Sequence, residues 1–381
     1  MKYFILGAFS TAFMLYGIAF IYGLTGTTNL EMVASGLATL AASPDAAFTH
    51  GLAVMAVLMI IAGLGFKLAA FPFHMWAPDV YTGSPTPAVG FMATGVKAAA
   101  LAALVRVGVV AFYEPTIRGG FFGHGWIDLL HFMAFGSVIL GNLVAIAQTN
   151  VKRMLAYSSI AHAGYILVGV VSANSRDAFF LYNDAALFYI LAYSFGTLGA
   201  FGALAYLTRK GGQVETYEHL AGIGLKYPAI GLILTISMLS SAGIPPTAGF
   251  LGKLYVFRAA VDVGAQTGDL TFIALALVAI LTSVAGVYYY LKVIVYLYMK
   301  QPTEEVTTLE HSGAKFALVM CAVLTLYLGI FPNRAITAAR EAVIDMVGAP
   351  AAVQPAVAKG NALLRAQEAA NDAPQPILGN E

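Results

Sequence analysis

The chain has 381 residues, of which 59% are hydrophobic and only 10% charged, with a formal net charge of +1 and a mean hydropathy of +0.79. Soluble domains carry about 25% charged residues, so most of this chain avoids water, and a net charge so near zero gives no sign of nucleic-acid binding. The single cysteine, Cys321, excludes a disulfide framework and an all-protein iron–sulfur site, which takes about four thiolates. No Gly-x-Gly-x-x-Gly turn follows a strand, so any redox cofactor has to sit in another chain.

A helix needs roughly 20 apolar residues to cross a bilayer. About nine such runs follow one another, over 3–24, 51–70, 87–112, 126–147, 154–172, 178–207, 228–263, 272–299 and 315–331. They predict an all-α polytopic membrane protein. The first run is as long as a full span and lacks a small-residue cleavage site, so it reads as a span and not as a signal peptide. The second ends in Phe71-Pro72-Phe73, which breaks or stops its helix near Pro72. The seventh is too long for one simple span and contains Gly243-Ile244-Pro245-Pro246; proline removes a backbone donor and clashes with the preceding turn, so this run reads as two half-helices. Freed backbone groups are costly in lipid, so both breaks are expected to face the bundle interior.

Loop charges set orientation. Alternate loops carry Lys2, Lys152 with Arg153, Arg209 with Lys210, Lys226, Lys300 and Lys315, while the opposite loops between spans carry Arg118 and Arg176. The first set is expected to be cytoplasmic, which puts the N-terminus in the cytoplasm and the C-terminus in the periplasm of an inner-membrane protein. The tail 333–381 is rich in Ala, Pro and Gln and is expected to form a short amphipathic helix followed by disorder.

Basic residues inside the runs are Lys67, Lys97, Arg106, Lys253, Arg258 and Lys292, each costing about 2.5–3.5 kcal/mol at a helix centre on insertion scales. Arg106, Arg258 and Lys292 lie within about two turns of a span end and can snorkel to the headgroups. Lys97 is flanked by apolar sequence on both sides, Lys67 shortly precedes Pro72, and Lys253 shortly follows Pro246. Polar residues beside helix breaks near the midplane mark ion sites in transporters. A lysine taken out of water or set beside another cation gives up its proton near neutral pH, and histidine titrates there unaided. Lys67, Lys97 and Lys253 are therefore the main candidates. His74, His131, His162 and Lys292 are secondary, since a membrane histidine away from a break also serves as a hydrogen-bonded packing residue. No acidic residue lies well inside a run: Asp128 and Asp184 sit near span ends and Asp79 falls in a loop.

Three motifs point to one family: Gly65-Phe66-Lys67 leading into Pro72-Phe73-His74-Met75-Trp76-Ala77-Pro78-Asp79-Val80-Tyr81; Gly141-Asn142-Leu143 through Gln148-Thr149-Asn150-Val151-Lys152-Arg153 to His162; and Ala242-Gly243-Ile244-Pro245-Pro246-Thr247-Ala248-Gly249-Phe250-Leu251-Gly252-Lys253. Over about residues 1–335 the chain resembles the N subunit of bacterial proton-pumping NADH:quinone oxidoreductase, the counterpart of mitochondrial subunit two. The second and third motifs are shared with sister pump subunits and Mrp-type cation/proton antiporters; the Trp76-to-Tyr81 stretch favours the N subunit. The resemblance implies that Lys67, Lys97 and Lys253 form a central proton path, opened by helix breaks at Pro72, Gly243, Pro245 and Pro246.

It further implies about five spans preceding Met1, one of them bearing a glutamate that pairs with the first lysine. We expect that span to be encoded immediately upstream, and the chain alone neither to pump nor to assemble stably. The two broken runs are the second and seventh, five apart, which fits inverted five-helix repeats. The expected division is then 1–112 as the remainder of an incomplete first repeat, 113–300 as a complete second repeat, 301–335 as a final span and 336–381 as an extramembrane tail. The activity implied is that of a translocase subunit coupling NADH-to-quinone electron transfer to proton pumping. It implies no cofactor in this chain, with NAD, FMN, iron–sulfur clusters and quinone bound by other subunits. The partners implied are the other membrane subunits and the bilayer. Two alternatives stand beside it: a subunit of an Mrp-type monovalent cation/proton antiporter, and a non-transporting membrane scaffold.

Overall fold

In a computed structural model of the chain, the described residues are 1–41, 46–112, 126–173, 176–209, 212–309 and 311–347. The expectations about Arg118, Lys210 and the end of the tail, 348–381, lie outside them. Helices dominate: α1 (Lys2–Thr25), α2 (Leu30–Ala41), α3 (Ala46–Leu68), α4 (Ala77–Gly83), α5 (Thr86–Ala111), α6 (Trp126–Ile146), α7 (Val151–Ser172), α8 (Arg176–Tyr206), α9 (Ile223–Lys226), α10 (Pro228–Ala242), α11 (Ala248–Thr267), α12 (Leu270–Met299), α13 (Ser312–Ile330) and α14 (Asn333–Val347). Among the described residues, α1, α3 from Thr49, α5, α6, α7, α8 from Asn183, α12 and α13 are long and apolar enough to cross a membrane. The run 228–263 is divided between α10 and α11.

Helix ends follow local chemistry. The Asn150 side chain accepts from Arg153 N at 2.9 Å and caps α7, and Asp269 accepts from Thr271 N at 2.9 Å and caps α12. Prolines stand in the first turns of α4, α5 and α10, where a missing N–H costs nothing. The amphipathic helix expected in the tail is α14, whose Val343 is buried and whose Ile336 and Ile344 pack against the bundle.

The core centres on α7, which is buried along almost all of its length. α6 lies against it at backbone distance: a Cβ on Gly141 would sit 2.5 Å from Ala161 N, and one on Gly164 2.7 Å from Val138 Cγ1. Small residues at such crossings let membrane helices approach closely. α8, α11 and α12 complete the wall around α7.

Three features depart from the sequence reading. First, α2 is too short for the span criterion and was passed over, yet Val33 and Leu37 bury one of its faces. Second, the bundle is not wholly helical. Strands β1 (Leu207–Arg209), β2 (Gly212–Gln213) and β3 (Val306–Thr308) form an antiparallel sheet in the order β2-β1-β3. Two inter-span connections on one side of the bundle satisfy their backbone groups this way. Third, Asp79 stands in the first turn of α4 and not in a loop, because Pro78 starts a helix there. Its carboxylate meets the Lys2 ammonium and lies 3.0 Å from Arg153 Nη1, tying α1, α4 and the start of α7 together. The hydrogen bond from Lys2, opposed next by burial and supported by the charges of Lys2 and Arg153, holds the Asp79 carboxyl below its ordinary value.

Candidate functional site

Lys253 sits one and a half turns into α11 and reaches back to the end of α10. α10 ends at Gly243, whose φ of 82° is left-handed. The Gly243 N–H reaches Leu239 O and Ser240 O at 3.0 Å, and Ile244 N reaches Leu239 O at 3.0 Å, a glycine cap that closes the helix in a Schellman arrangement. The next two carbonyls take Lys253 instead: its Nζ donates to Ser241 O at 2.8 Å, Ala242 O at 3.1 Å and Ser283 Oγ at 2.8 Å. The side chain is 5% exposed. A helix C-terminus carries partial negative charge, so the broken end of α10 solvates this ammonium with backbone.

Pro245 and Pro246 are exposed, which corrects the expectation that the whole break faces inward. Prolines have no N–H to leave unsatisfied in lipid; only the carbonyl side of the break needs the interior. The peptide between them is cis, and the Pro246 carbonyl lies against Gly329 of α13.

Lys97, in the middle of α5, is 1% exposed. Its Nζ donates to Ser159 O at 2.6 Å and stands 6.0 Å from the Tyr193 ring. Tyr193 OH donates to Ser159 Oγ at 2.8 Å. One turn further along α7 is His162, with Nδ1 2.6 Å from Tyr189 OH and Nε2 3.0 Å from Tyr290 OH. One more turn brings Tyr165, whose ring lies 5.0 Å from Lys253 Nζ and whose hydroxyl accepts from Asn142 Nδ2 at 2.7 Å. Ser159, His162 and Tyr165 thus form a polar face of α7 about 9 Å long at 1.5 Å per residue, with Lys97 at one end and Lys253 at the other. Asn142 Oδ1 in turn accepts from Tyr289 OH at 2.9 Å, and Tyr290 OH is bonded to Ser158 Oγ.

The other sequence candidates fall elsewhere. Lys67 is the penultimate residue of α3 and half-buried, its Nζ 5.8 Å from the Tyr3 ring and 5.9 Å from the Phe66 ring; it is not joined to the α7 face by any hydrogen bond described. Pro72 follows a cis peptide after Phe71, in the turn between α3 and α4. The end of α3 is held by Trp76 Nε1 donating to Phe66 O at 2.9 Å. His74 stacks on Phe71 in this turn. His131 packs edge-on against Phe272, with Nδ1 3.2 Å from Ile127 O. Lys292 lies over the Tyr217 ring at 4.3 Å, away from the α7 face. Arg106 and Arg258 are exposed.

Sequence reasoning gave no role to Ser159, Tyr165, Tyr189, Tyr193, Ser283, Tyr289 or Tyr290. Tyrosines scattered in apolar runs read as hydrophobic. The one available signal was the spacing of Ser159, His162 and Tyr165, which places them on one helix face.

Helices of membrane length, a helix opened at Gly243 and two lysines buried on one internal polar face define a polytopic membrane protein with an enclosed ionisable track. The chain belongs to the NADH:quinone oxidoreductase/Mrp antiporter transmembrane family, whose model matches residues 1–280. It is 44% identical over 344 residues to NADH-quinone oxidoreductase subunit N of Trichlorobacter lovleyi, covering 90% of this chain and 66% of that protein. The chain therefore spans about two thirds of that relative's length. A chain in the structure of respiratory complex I from Thermus thermophilus with bound Aureothin superposes with a TM-score of 0.68 at 38% identity, over 88% of this chain and 67% of that one. A chain of the Mrp complex from Dietzia sp. DQ12-45-1b gives 0.72 at 23% identity, over 93% and 69%, a likeness of fold alone.

Proposed function

We propose that the chain is an antiporter-like, proton-translocating part of the N subunit of a bacterial NADH:quinone oxidoreductase, working in the inner membrane with the other membrane subunits of that complex. The N-terminus is on the cytoplasmic side in this reading. NAD, FMN, iron–sulfur clusters and quinone belong to other subunits, and this chain holds no redox centre. The observation that carries the reading is the line Lys97–Ser159–His162–Tyr165–Lys253. Each member is a proton donor or acceptor, both ends are ammonium groups held on backbone carbonyls, and the line is enclosed by protein.

A proton arriving at one lysine raises the cost of charge at the other, because Coulomb interaction is strong where water is scarce. His162 sits between them, able to take a proton on one ring nitrogen and release one from the other. In this reading Lys67, at the end of α3, communicates with the Lys97 end through water, since no hydrogen bond described joins the two. The likeness to complex I subunit N, at higher identity than to the Mrp chain, favours a redox-driven pump over a cation antiporter.

Lys97→Met and Lys253→Met keep approximate length and remove the titrating group. In the full subunit within its complex, each is expected to lower NADH-driven proton uptake per electron or turnover. Unchanged turnover and unchanged proton-to-electron ratio in both variants would reject the track. Recovery of the subunit with flavin- and iron–sulfur-containing partners supports the pump; recovery only with antiporter subunits refutes it.

A further inference from the structure

Outside the lysine track, a polar cavity of about 310 Å³ lies between α8, α11 and α14. Four charges line it in two pairs. Asp184 of α8 accepts from Arg340 of α14 at 3.2 Å (Nε) and 3.1 Å (Nη2), and Arg258 Nε lies 3.3 Å from Asp262 Oδ2 one turn along α11. The rest of the lining includes Phe188, Tyr255 and Ile336. The two pairs differ in setting. Asp184 is buried behind Arg340, whereas the Arg258 side chain is 73% exposed and that of Asp262 36%.

Arg258 stands on an apolar stripe. Leu254, one turn before it, and Val261, one turn after, are both exposed on the same face of α11, as residues that meet acyl chains are. An arginine projecting from such a stripe marks the depth at which headgroups begin. α14 beside it is an amphipathic helix with its apolar side docked on the bundle, a form suited to the interface plane. The cavity therefore opens where lipid phosphates lie.

We propose that this cavity binds the headgroup of a zwitterionic phospholipid bearing a primary ammonium, of the phosphatidylethanolamine class. The phosphodiester takes the forked guanidinium of Arg258, and the ammonium donates to Asp262, with the Asp184–Arg340 pair as the inner wall. Charge selects this class. Two cations and two anions leave the lining neutral overall, so a zwitterion matches it; an anionic headgroup could take Arg258 as well but brings no cation to Asp262. A quaternary ammonium has no N–H to give a carboxylate. The apolar lining receives the glycerol and first acyl carbons. This site is independent of the proton-track reading.

The test is native mass spectrometry of the subunit within its membrane complex, delipidated in detergent and offered phosphatidylethanolamine, phosphatidylcholine and phosphatidylglycerol in equal amounts. Retention of the first is expected to exceed that of each of the others about tenfold. Arg258→Ala is expected to abolish the preference, Arg258→Lys to keep part of it, and Asp262→Asn to remove discrimination between ethanolamine and choline headgroups. Circular dichroism and monodispersity matching the parent identify variants that still fold, and Arg258→Lys carries the comparison if Arg258→Ala does not. Equal retention of the three lipids, a preference for the glycerol headgroup, or a preference surviving in folded Arg258→Ala would overturn the proposal. Binding of soluble phosphoethanolamine as tight as that of the lipid would overturn the lipid as occupant.

Discussion

Gly243→Ala tests the link between the helix break and the lysine it serves. Two costs add. An L-residue in the left-handed region costs about 1–2 kcal/mol, and φ at Gly243 is 82°. A Cβ there would meet Lys253 Cδ at 3.0 Å and Nζ at 3.5 Å, so the lysine tail must shift off its rotamer for about 0.5–1.5 kcal/mol. The expected total is about 1.5–3.5 kcal/mol. Gly268, which ends α11, separates the two costs: its φ is 72° and nothing stands within 4 Å of a Cβ built on it, so Gly268→Ala pays only the backbone cost of about 1–2 kcal/mol. Denaturant unfolding in mild detergent measures both variants. A cycle with Lys253→Ala then isolates the contact, with an expected coupling of at least about 0.5 kcal/mol. If Gly243→Ala and Gly268→Ala cost the same and the cycle shows no coupling, Gly243 serves the backbone alone and does not position Lys253.

Three further outcomes follow from the geometry. Arg340→Ala strands the buried Asp184 carboxylate; at the lower end of buried-pair losses, about 3 kcal/mol, amide exchange across α14 should rise roughly a hundredfold, and unchanged exchange would show that α14 is held by its apolar face alone. His162→Phe strands the Tyr189 hydroxyl, at a cost of about 1–3 kcal/mol, while Tyr290 keeps Ser158 Oγ; a detergent melting temperature equal to the parent's would show that the His162–Tyr189 bond contributes nothing. Asp79 has a depressed carboxyl, so its contribution is fully present above its unfolded value near pH 4 and fades as pH falls through the lower folded value. Protection of the α1 N-terminus, taken as observed exchange relative to the intrinsic rate at each pH, should therefore fall on acidification in the parent and stay constant in Asp79→Asn.

The membrane spans were legible because bilayer thickness imposes length and apolarity on each helix separately, with no need to know its neighbours. The break at Gly243 was legible for the same reason, since glycine and proline act locally. What escaped was whatever depends on contacts distant in sequence. Tyr290 meets His162 across 128 residues. Lys152 counted as a cytoplasmic loop charge, yet it is buried and donates to Thr82 O at 3.2 Å, Ser84 O at 3.0 Å and Gln213 Oε1 at 3.1 Å, closing the end of α4. The inward direction of the break was half legible: free carbonyls demanded the interior, but the prolines, having no donor, did not.

The enclosure of α7 bears on how the protein is made. In the finished bundle Ser158, Ser159 and His162 are satisfied by hydroxyls and a lysine from other helices, but most of those helices emerge from the ribosome later. A solitary α7 entering lipid would expose these groups to hydrocarbon, with Lys152 and Arg153 at its leading end, and would partition poorly. Its predecessor covers part of this face: α6 is joined to it through 147–150, offers the Gly141 groove to the backbone at Ala161, and its Asn142 donates to Tyr165. The close α6–α7 approach suits entry into the bilayer as a hairpin, so a bulky residue at Gly141 is expected to lower the amount of subunit inserted.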